Sequence, residues 1–321
     1  MNGNGIAVAG NILVDVINKV SKYPNEGELT QILSVSRAVG GCVPNVAIDL
    51  KRLAPDLTVL AYGKVSDDDI GEYAVNIIKE NNVDIKNVIV SQRDKTSFTQ
   101  VISIDGGQRT FFTYPGTSSD FGIDDIDFEN FKADILHLGY FLLLQKIDDG
   151  EGELILKKAN NLGIKTSIDL VSENSDRYLK ILPVLKYTDY LIINELEGAK
   201  LTGIEQTIDN IPEIAKRLLM LGVREKVIIH YKEGAVCADK SGTLTQIESI
   251  NLPTGYIKGT TGAGDAFCAG ALLAIYNNLS DNDILNFGRI AAAMSLSQPD
   301  ATSGLVTIGE AIKFVTQLER K

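Results

Sequence analysis

Late in the chain, Gly259-Thr-Thr261-Gly262-Ala263-Gly264-Asp265-Ala-Phe-Cys-Ala-Gly270 sets glycines and an acid ahead of an apolar run. Gly262 and Gly264 allow a ligand to approach the backbone closely. The run Ala263 to Tyr276 is apolar on nearly every side, which predicts a buried helix. The turn therefore opens a helix, whose free N–H groups and dipole make an anion site. Asp265 falls in the first turn. A carboxylate there is either a plain helix cap or, beside an anion hole, a base that takes the proton of an attacking hydroxyl. The segment is not a P-loop, because no Gly-Lys-Ser/Thr follows. Nor is it a dinucleotide fingerprint, because Gly-x-Gly-x-x-Gly is not met and the first strand is far away.

Two further segments carry chemistry. Gly40-Gly41-Cys42-Val43-Pro44-Asn45-Val46-Ala47 runs into a helix expected over 46–53. Its Asn45 amide either caps that helix or donates to and accepts from ligand hydroxyls. Asn194-Glu-Leu-Glu197 follows an apolar strand, and on a helical turn Asn194 and Glu197 share a face. Their oxygens either hold hydrated magnesium or belong to a solvated acidic helix start.

The elements that must position these residues alternate. Short apolar runs at 6–9, 58–62, 135–138, 166–169, 190–193 and 227–230 read as strands covered on both faces. Ser66-Asp-Asp-Asp69 reads as a capping box opening a helix toward Asn81, residues 211–221 have helical apolar spacing, and Thr307-Ile-Gly-Glu310 caps a final helix. Strand–helix alternation predicts an α/β fold, a mostly parallel sheet sandwiched by helices, over residues 1–321 as one domain. Two stretches break the rhythm. Residues 28–39 read as extended, and the β-rich runs 97–104 and 109–114 flank an Asp105-Gly106-Gly107-Gln108 hairpin turn. They predict a small β lid, formed from about 12–39 and 97–117, whose apolar face would be covered by substrate or by a second subunit, giving a homodimer.

Composition excludes several classes. Apolar residues make up 44% and charged residues 23%, which is ordinary for a globular chain. A formal net charge of -11 repels nucleic acid and anionic membranes, so a small nucleotide carried with magnesium is the expected polyanion. The cysteines, Cys42, Cys237 and Cys268, are odd in number and far apart, which argues against a disulfide framework and fits a reducing compartment. Two histidines argue against a multi-histidine metal site. The beginning lacks the pattern of a secretion signal, and no run approaches the length that crosses a bilayer. A cytoplasmic protein is expected.

Taken together, Thr261-Gly-Ala-Gly-Asp265, Gly40-Gly41-x-x-x-Asn45-x-Ala47 and Asn194-x-x-Glu197 occur in the order found in ribokinase/PfkB-type carbohydrate kinases, and Asp15 matches that family's substrate-binding aspartate. The chain resembles that family over essentially its whole length. The resemblance implies a ribokinase-like fold and phosphorylation of a hydroxyl of a sugar or sugar-like molecule by ATP. It implies that Asp265 is the base and that the amides of Ala263, Gly264 and Asp265, after Gly262, hold the transferring phosphoryl group. Asn194 and Glu197 would hold magnesium through water, while Thr261 and Gly234 would belong to the nucleotide site. Asp15, Gly41 and Asn45 would bind substrate, with Arg109 a further candidate from the lid. Two positions depart. Gly259 stands where the family often has Asp, which argues against a monovalent cation. His230-Tyr231-Lys-Glu-Gly234 has Tyr231 where the family commonly has Gly, which alters the adenine contacts. A phosphosugar substrate is disfavoured because Cys42 offers no cation to a phosphate, although Arg37 and Arg109 remain as sources. The alternatives are a nucleoside kinase of the same fold and a non-catalytic sugar- or nucleotide-binding regulator. Intact Gly262, Gly264 and Asp265 argue against the regulator.

Overall fold

The computed structural model describes residues 4–104, 109–173 and 175–319, so the expected 105–108 hairpin turn lies outside the described residues. The chain begins with β1 (Ile6–Ala9), β2 (Leu13–Val20), β3 (Ile32–Gly40) and α1 (Cys42–Leu53). Next come β4 (Val59–Ser66), α2 (Asp69–Glu80), β5 (Asp84–Ser91), β6 (Ser97–Ser103) and β7 (Thr110–Tyr114). The middle runs through β8 (Ile135–Phe141), α3 (Gly152–Asn161), β9 (Lys165–Leu170), α4 (Leu182–Leu185), β10 (Tyr190–Asn194), α5 (Glu195–Thr202) and α6 (Ile211–Met220). It closes with β11 (Lys226–Tyr231), β12 (Gly234–Asp239), β13 (Leu244–Glu248), α7 (Ala263–Tyr276), α8 (Asp281–Ser295) and α9 (Ile308–Glu319).

Nine strands make one sheet, ordered β13-β12-β11-β10-β9-β8-β1-β4-β5. The seven from β11 to β5 are parallel, and β12 and β13 add an antiparallel edge. Strand side chains alternate between faces, and both faces are covered. Ile6 and Val8 join the core under α1, α2, α7 and α8, whereas Ala7 and Ala9 join the core under α3, α4, α5 and α6. That is why the strand runs are apolar throughout. A separate four-stranded sheet, ordered β3-β2-β6-β7, is drawn from the two stretches that interrupt the α/β rhythm. It carries exposed Ile32, Leu33, Val35, Phe111 and Phe112.

Three local expectations are corrected. The α2 cap is Asp68, whose carboxylate accepts from the Gly71 N–H at 2.8 Å, while Ser66 still belongs to β4. Asp68 wins because its other contacts, to Thr96, tie it to the neighbouring loop. Helix α1 begins at Cys42 rather than Val46, so Asn45 lies inside its first turns and is not a cap. The capping group comes from far away in sequence. The Asn11 side chain accepts from the Cys42 N–H at 2.9 Å, and the Asn11 carbonyl accepts from the Val43 N–H at 3.2 Å. Strands β5, β12 and β13 went unpredicted: β5 and β13 are the half-exposed edges and lack the continuous apolar signal, and β12 is buried but offers only the short apolar run 235–238 between Gly234 and Asp239.

Candidate active site

Ligand chemistry in open parallel sheets collects at the carboxyl ends of the strands. Here Tyr140, Asp169 and His230 are the penultimate residues of β8, β9 and β11 and Asn194 ends β10, with Asn194 and His230 in register. The N-termini of α1, α5 and α7 belong to the same end, because each follows directly on such a strand or packs beside one.

The α7 N-terminus is open. Its cap residue, Gly262, makes no side-chain cap bond and holds φ at +79°, where a Cβ would lie 2.5 Å from Ala301. Only glycine fits there. Gly264 differs: a Cβ there would touch only the His230 ring, at 3.6 Å. Packing therefore does not require a glycine at 264, and the room beside its backbone faces two cavities. One, of about 280 Å³, is walled by Tyr140, Asp169, Asn194, Glu197, Gly264 and Asp265. The other, of about 740 Å³, adjoins it through Ser172, Asn194, His230 and Gly264. Its far wall is apolar, with Ile250, Leu252, Ile257, Phe267 and Leu296. Such a chamber suits a planar base at one end and phosphates at the other. The Ala263 amide donates to the Thr260 carbonyl at 3.4 Å, so that amide is already engaged.

Asp265 is the buried carboxylate between these elements. Asn45 Nδ2 donates to its Oδ2 at 2.9 Å, and the Tyr140 hydroxyl lies 2.9 Å from both of its oxygens. Burial, and the Asp169 charge beside it, push the Asp265 carboxyl up to about 7, against the lowering effect of Asn45 and Tyr140. A carboxyl titrating near neutrality is poised as a proton acceptor. Tyr140 is held with φ at 60°, an unfavourable backbone for a non-glycine residue, and its N–H donates to Asp169. Asn45 Oδ1 is buried without a donor.

Asn194 and Glu197 form a reciprocal capping box on α5. Asn194 Oδ1 accepts from the Glu197 N–H at 2.9 Å, and Glu197 Oε2 accepts from the Asn194 N–H at 3.1 Å. Glu197 Oε1 also accepts from Ser172 Oγ and Asn194 Nδ2. The pair is thus no solvated helix start. Glu197 is 3% exposed, and burial pushes its carboxyl up to about 8.

The structure therefore brings Asn45, Asn194, Glu197, Gly264 and Asp265 together, and Gly234 and Ala263 line the larger cavity. Thr261 is exposed, and its neighbour Thr260 forms the cavity wall instead. Asp15 lies on β2 between Ala38 and Thr99, with burial raising its carboxyl and the Arg109 charge opposing that. Arg37 is engaged with Asp69 at 3.0 Å. Gly41 turns the chain with φ at +93° against Asn11. Tyr231 lines the larger cavity and accepts from Gln246 Nε2 at 2.9 Å. Sequence reasoning missed Asn11, Tyr140, Asp169 and Ser172. The signal for Tyr140 and Asp169 was their place at or just past the carboxyl ends of expected strands.

The family model for pfkB family carbohydrate kinases matches residues 4–308. A 5-dehydro-2-deoxygluconokinase of Clostridium perfringens is 24% identical over 303 residues, which cover 91% of this chain and 88% of that protein. A Staphylococcus aureus ribokinase is 24% identical over 313 residues, covering 96% and 98%. The structure of Arabidopsis thaliana ribokinase complexed with ribose and ATP superposes with a TM-score of 0.83 at 20% identity, covering 98% of this chain and 99% of that one. With almost the whole chain matched and the glycine turn, buried carboxylate and cavities assembled at one sheet end, the protein belongs to the pfkB family of carbohydrate kinases.

Proposed function

We propose that Asp265 is the general base of an ATP-dependent transfer of a phosphoryl group to a hydroxyl of a sugar or sugar-like molecule. The observation that carries this reading is the buried Asp265 carboxylate in the first turn of an uncapped helix, at the junction of two cavities. The larger cavity takes the base and ribose on its apolar wall, near Gly234, Thr260 and Thr261. Its phosphates extend past Gly264 toward Asp265. The substrate hydroxyl is held by Asn45, whose Oδ1 has no donor among the described residues, and by Gly41 and Asp15, with the Arg109 charge acting on Asp15. Asp265 takes its proton as the γ-phosphoryl transfers in line. The free amides of Gly264 and Asp265 stabilise the developing charge.

The donor set at Asn194 and Glu197 fits magnesium held through water, because their oxygens already accept protein hydrogen bonds while facing the cavity. Magnesium, when bound, neutralises phosphate charge. The sheet of β2, β3, β6 and β7 acts as a lid that keeps water from competing with the sugar. Its exposed apolar face is covered by a second copy of the chain. Buried free thiols at Cys42, Cys237 and Cys268 fit the cytoplasm.

A panel of sugars, sugar acids and nucleosides, scored by ADP release with magnesium, tests the reading. Turnover with a sugar or sugar acid is expected. ADP release with nucleosides alone would replace the sugar with a nucleoside, and ADP release with none of them would remove the kinase reading.

A further inference from the structure

Behind the catalytic pocket, four donors from four distant parts of the chain converge in the buried core. Cys42 opens α1, His137 lies in β8, Asp169 is the penultimate residue of β9, and Cys268 lies one turn beyond Asp265 on α7. One ligand atom from each of Cys42, His137 and Asp169 lies within 4.8 Å of the other two. His137 Nε2 is 3.4 Å from Asp169 Oδ2 and 3.7 Å from Cys268 Sγ. Zinc bonds of about 2.0–2.3 Å set tetrahedral ligand atoms about 3.3–3.8 Å apart. Two edges of that figure are therefore already at length.

The surroundings point the same way. His137 Nδ1 pairs with Ser167 Oγ at 3.1 Å, which fixes the ring and turns Nε2 toward the thiols and the carboxylate. Ligating imidazoles are held by such a partner on the other nitrogen. Gly139 leaves the space the Cys42 thiol occupies, since a Cβ there would lie 1.9 Å from Cys42 Sγ and 3.0 Å from Asp169 Oδ1. Cys42 and His137 are fully buried, while Asp169 and Cys268 wall the 280 Å³ cavity and provide the access route. Thiolate and imidazole donors select zinc-class ions over magnesium.

We propose that Cys42, His137 and Asp169 form a site for a zinc-class divalent cation behind the catalytic pocket, which the Cys268 thiol, against His137 on the cavity side, closes on when the ion is bound. The site rests on its own geometry and does not depend on which molecule the enzyme phosphorylates. An ion there would hold Asp169, a wall of the cavity beside Asp265, and so tie that cavity to the state of two thiols.

Cobalt(II) titration of the reduced, nucleotide-free full chain tests this by absorption spectroscopy. Wild type and Cys237→Ala, which removes a buried thiol elsewhere, are expected to bind one cobalt per chain with thiolate-to-cobalt charge transfer and tetrahedral visible bands. Cys42→Ala should bind at least about tenfold more weakly, and Cys268→Ala should lose part of the charge-transfer intensity. His137→Gln gives a second ligand deletion should Cys42→Ala fail to fold. Cobalt bound without charge transfer, or unchanged in both ligand variants, would assign the ion to the Asn194 and Glu197 oxygens and overturn the proposal. Absence of cobalt binding would overturn it as well.

Discussion

The Asp265 carboxylate is reached by one amide and one phenol, and both weaken it as a base while holding it in place. Asp265→Asn keeps the shape and removes the proton acceptor. Turnover is expected to fall roughly 10²-fold or more while ATP binding, measured by calorimetry, persists. Near-normal turnover would remove Asp265 from its role. The raised carboxyl sets a pH dependence whose sign is fixed. Only the ionised form accepts a proton, so kcat/KM should fall about tenfold per pH unit below about 7 and level off above it. In the same way, Glu197→Gln keeps the capping geometry, since Gln also serves a capping box, and removes a carboxyl that burial holds up to about 8 and that a bound cation would draw into its ionised form. It should raise the magnesium concentration needed for half-maximal turnover more than it changes the sugar KM. An unchanged magnesium curve would leave Glu197 as a cap alone.

At the scale of elements, the α7 turn and the 298–304 loop decide the monovalent-ion question. Gly259 faces that loop: a Cβ there would lie 2.9 Å from Pro299 Cα, 3.0 Å from the Pro299 carbonyl oxygen and 3.1 Å from that of Gln298. Carbonyl oxygens are therefore near, but position 259 offers no side-chain carboxylate and the loop's Asp300 carboxylate is engaged by Thr302 and Ser303, and ligand charge governs affinity for hard cations. Exchanging potassium for tetramethylammonium at constant ionic strength should alter turnover less than about threefold, or about 0.6 kcal/mol. Tenfold activation would show that carbonyls suffice. Gly259→Asp is a poor converse test, because the crowding at Pro299 forces the loop to move. The β10–α5 junction shows a related economy: one capping box both starts a helix and presents oxygens to the cavity.

The small sheet leaves apolar surface unexplained by its own packing, with Ile32, Val35 and Phe112 on one face and Phe111 on the other. Ile32, Leu33 and Val35 on β3, with Phe111 and Phe112 on β7, are each more than half exposed on the edge strands of the small sheet. Isolated monomers rarely carry such apolar surface uncovered. The full chain should sediment as a dimer at micromolar concentration, and Phe112→Asp should shift it to monomer. A wild-type monomer at high concentration would remove the dimer and leave the lid.

Local sequence determined what local physics controls. The apolar runs predicted the central strands because burial on both faces demands continuous hydrophobicity, and Gly262-Ala-Gly-Asp265 before an all-apolar run predicted the glycine turn that opens the buried helix α7. Asn45 was legible as a polar residue beside a glycine turn, but not as the amide that grips Asp265, because that bond spans 220 positions in sequence. The α1 cap was misread for the same reason, since Asn11 supplies it from the end of β1. Tertiary structure alone placed Tyr140 on Asp265, moved the cavity wall from Thr261 to Thr260, and gathered Cys42, His137 and Asp169 into one buried cluster with Cys268 against its histidine. No periodicity or spacing encodes such meetings. They arise where parallel strands end together, and the order of strands in the sheet decides which residues those ends carry.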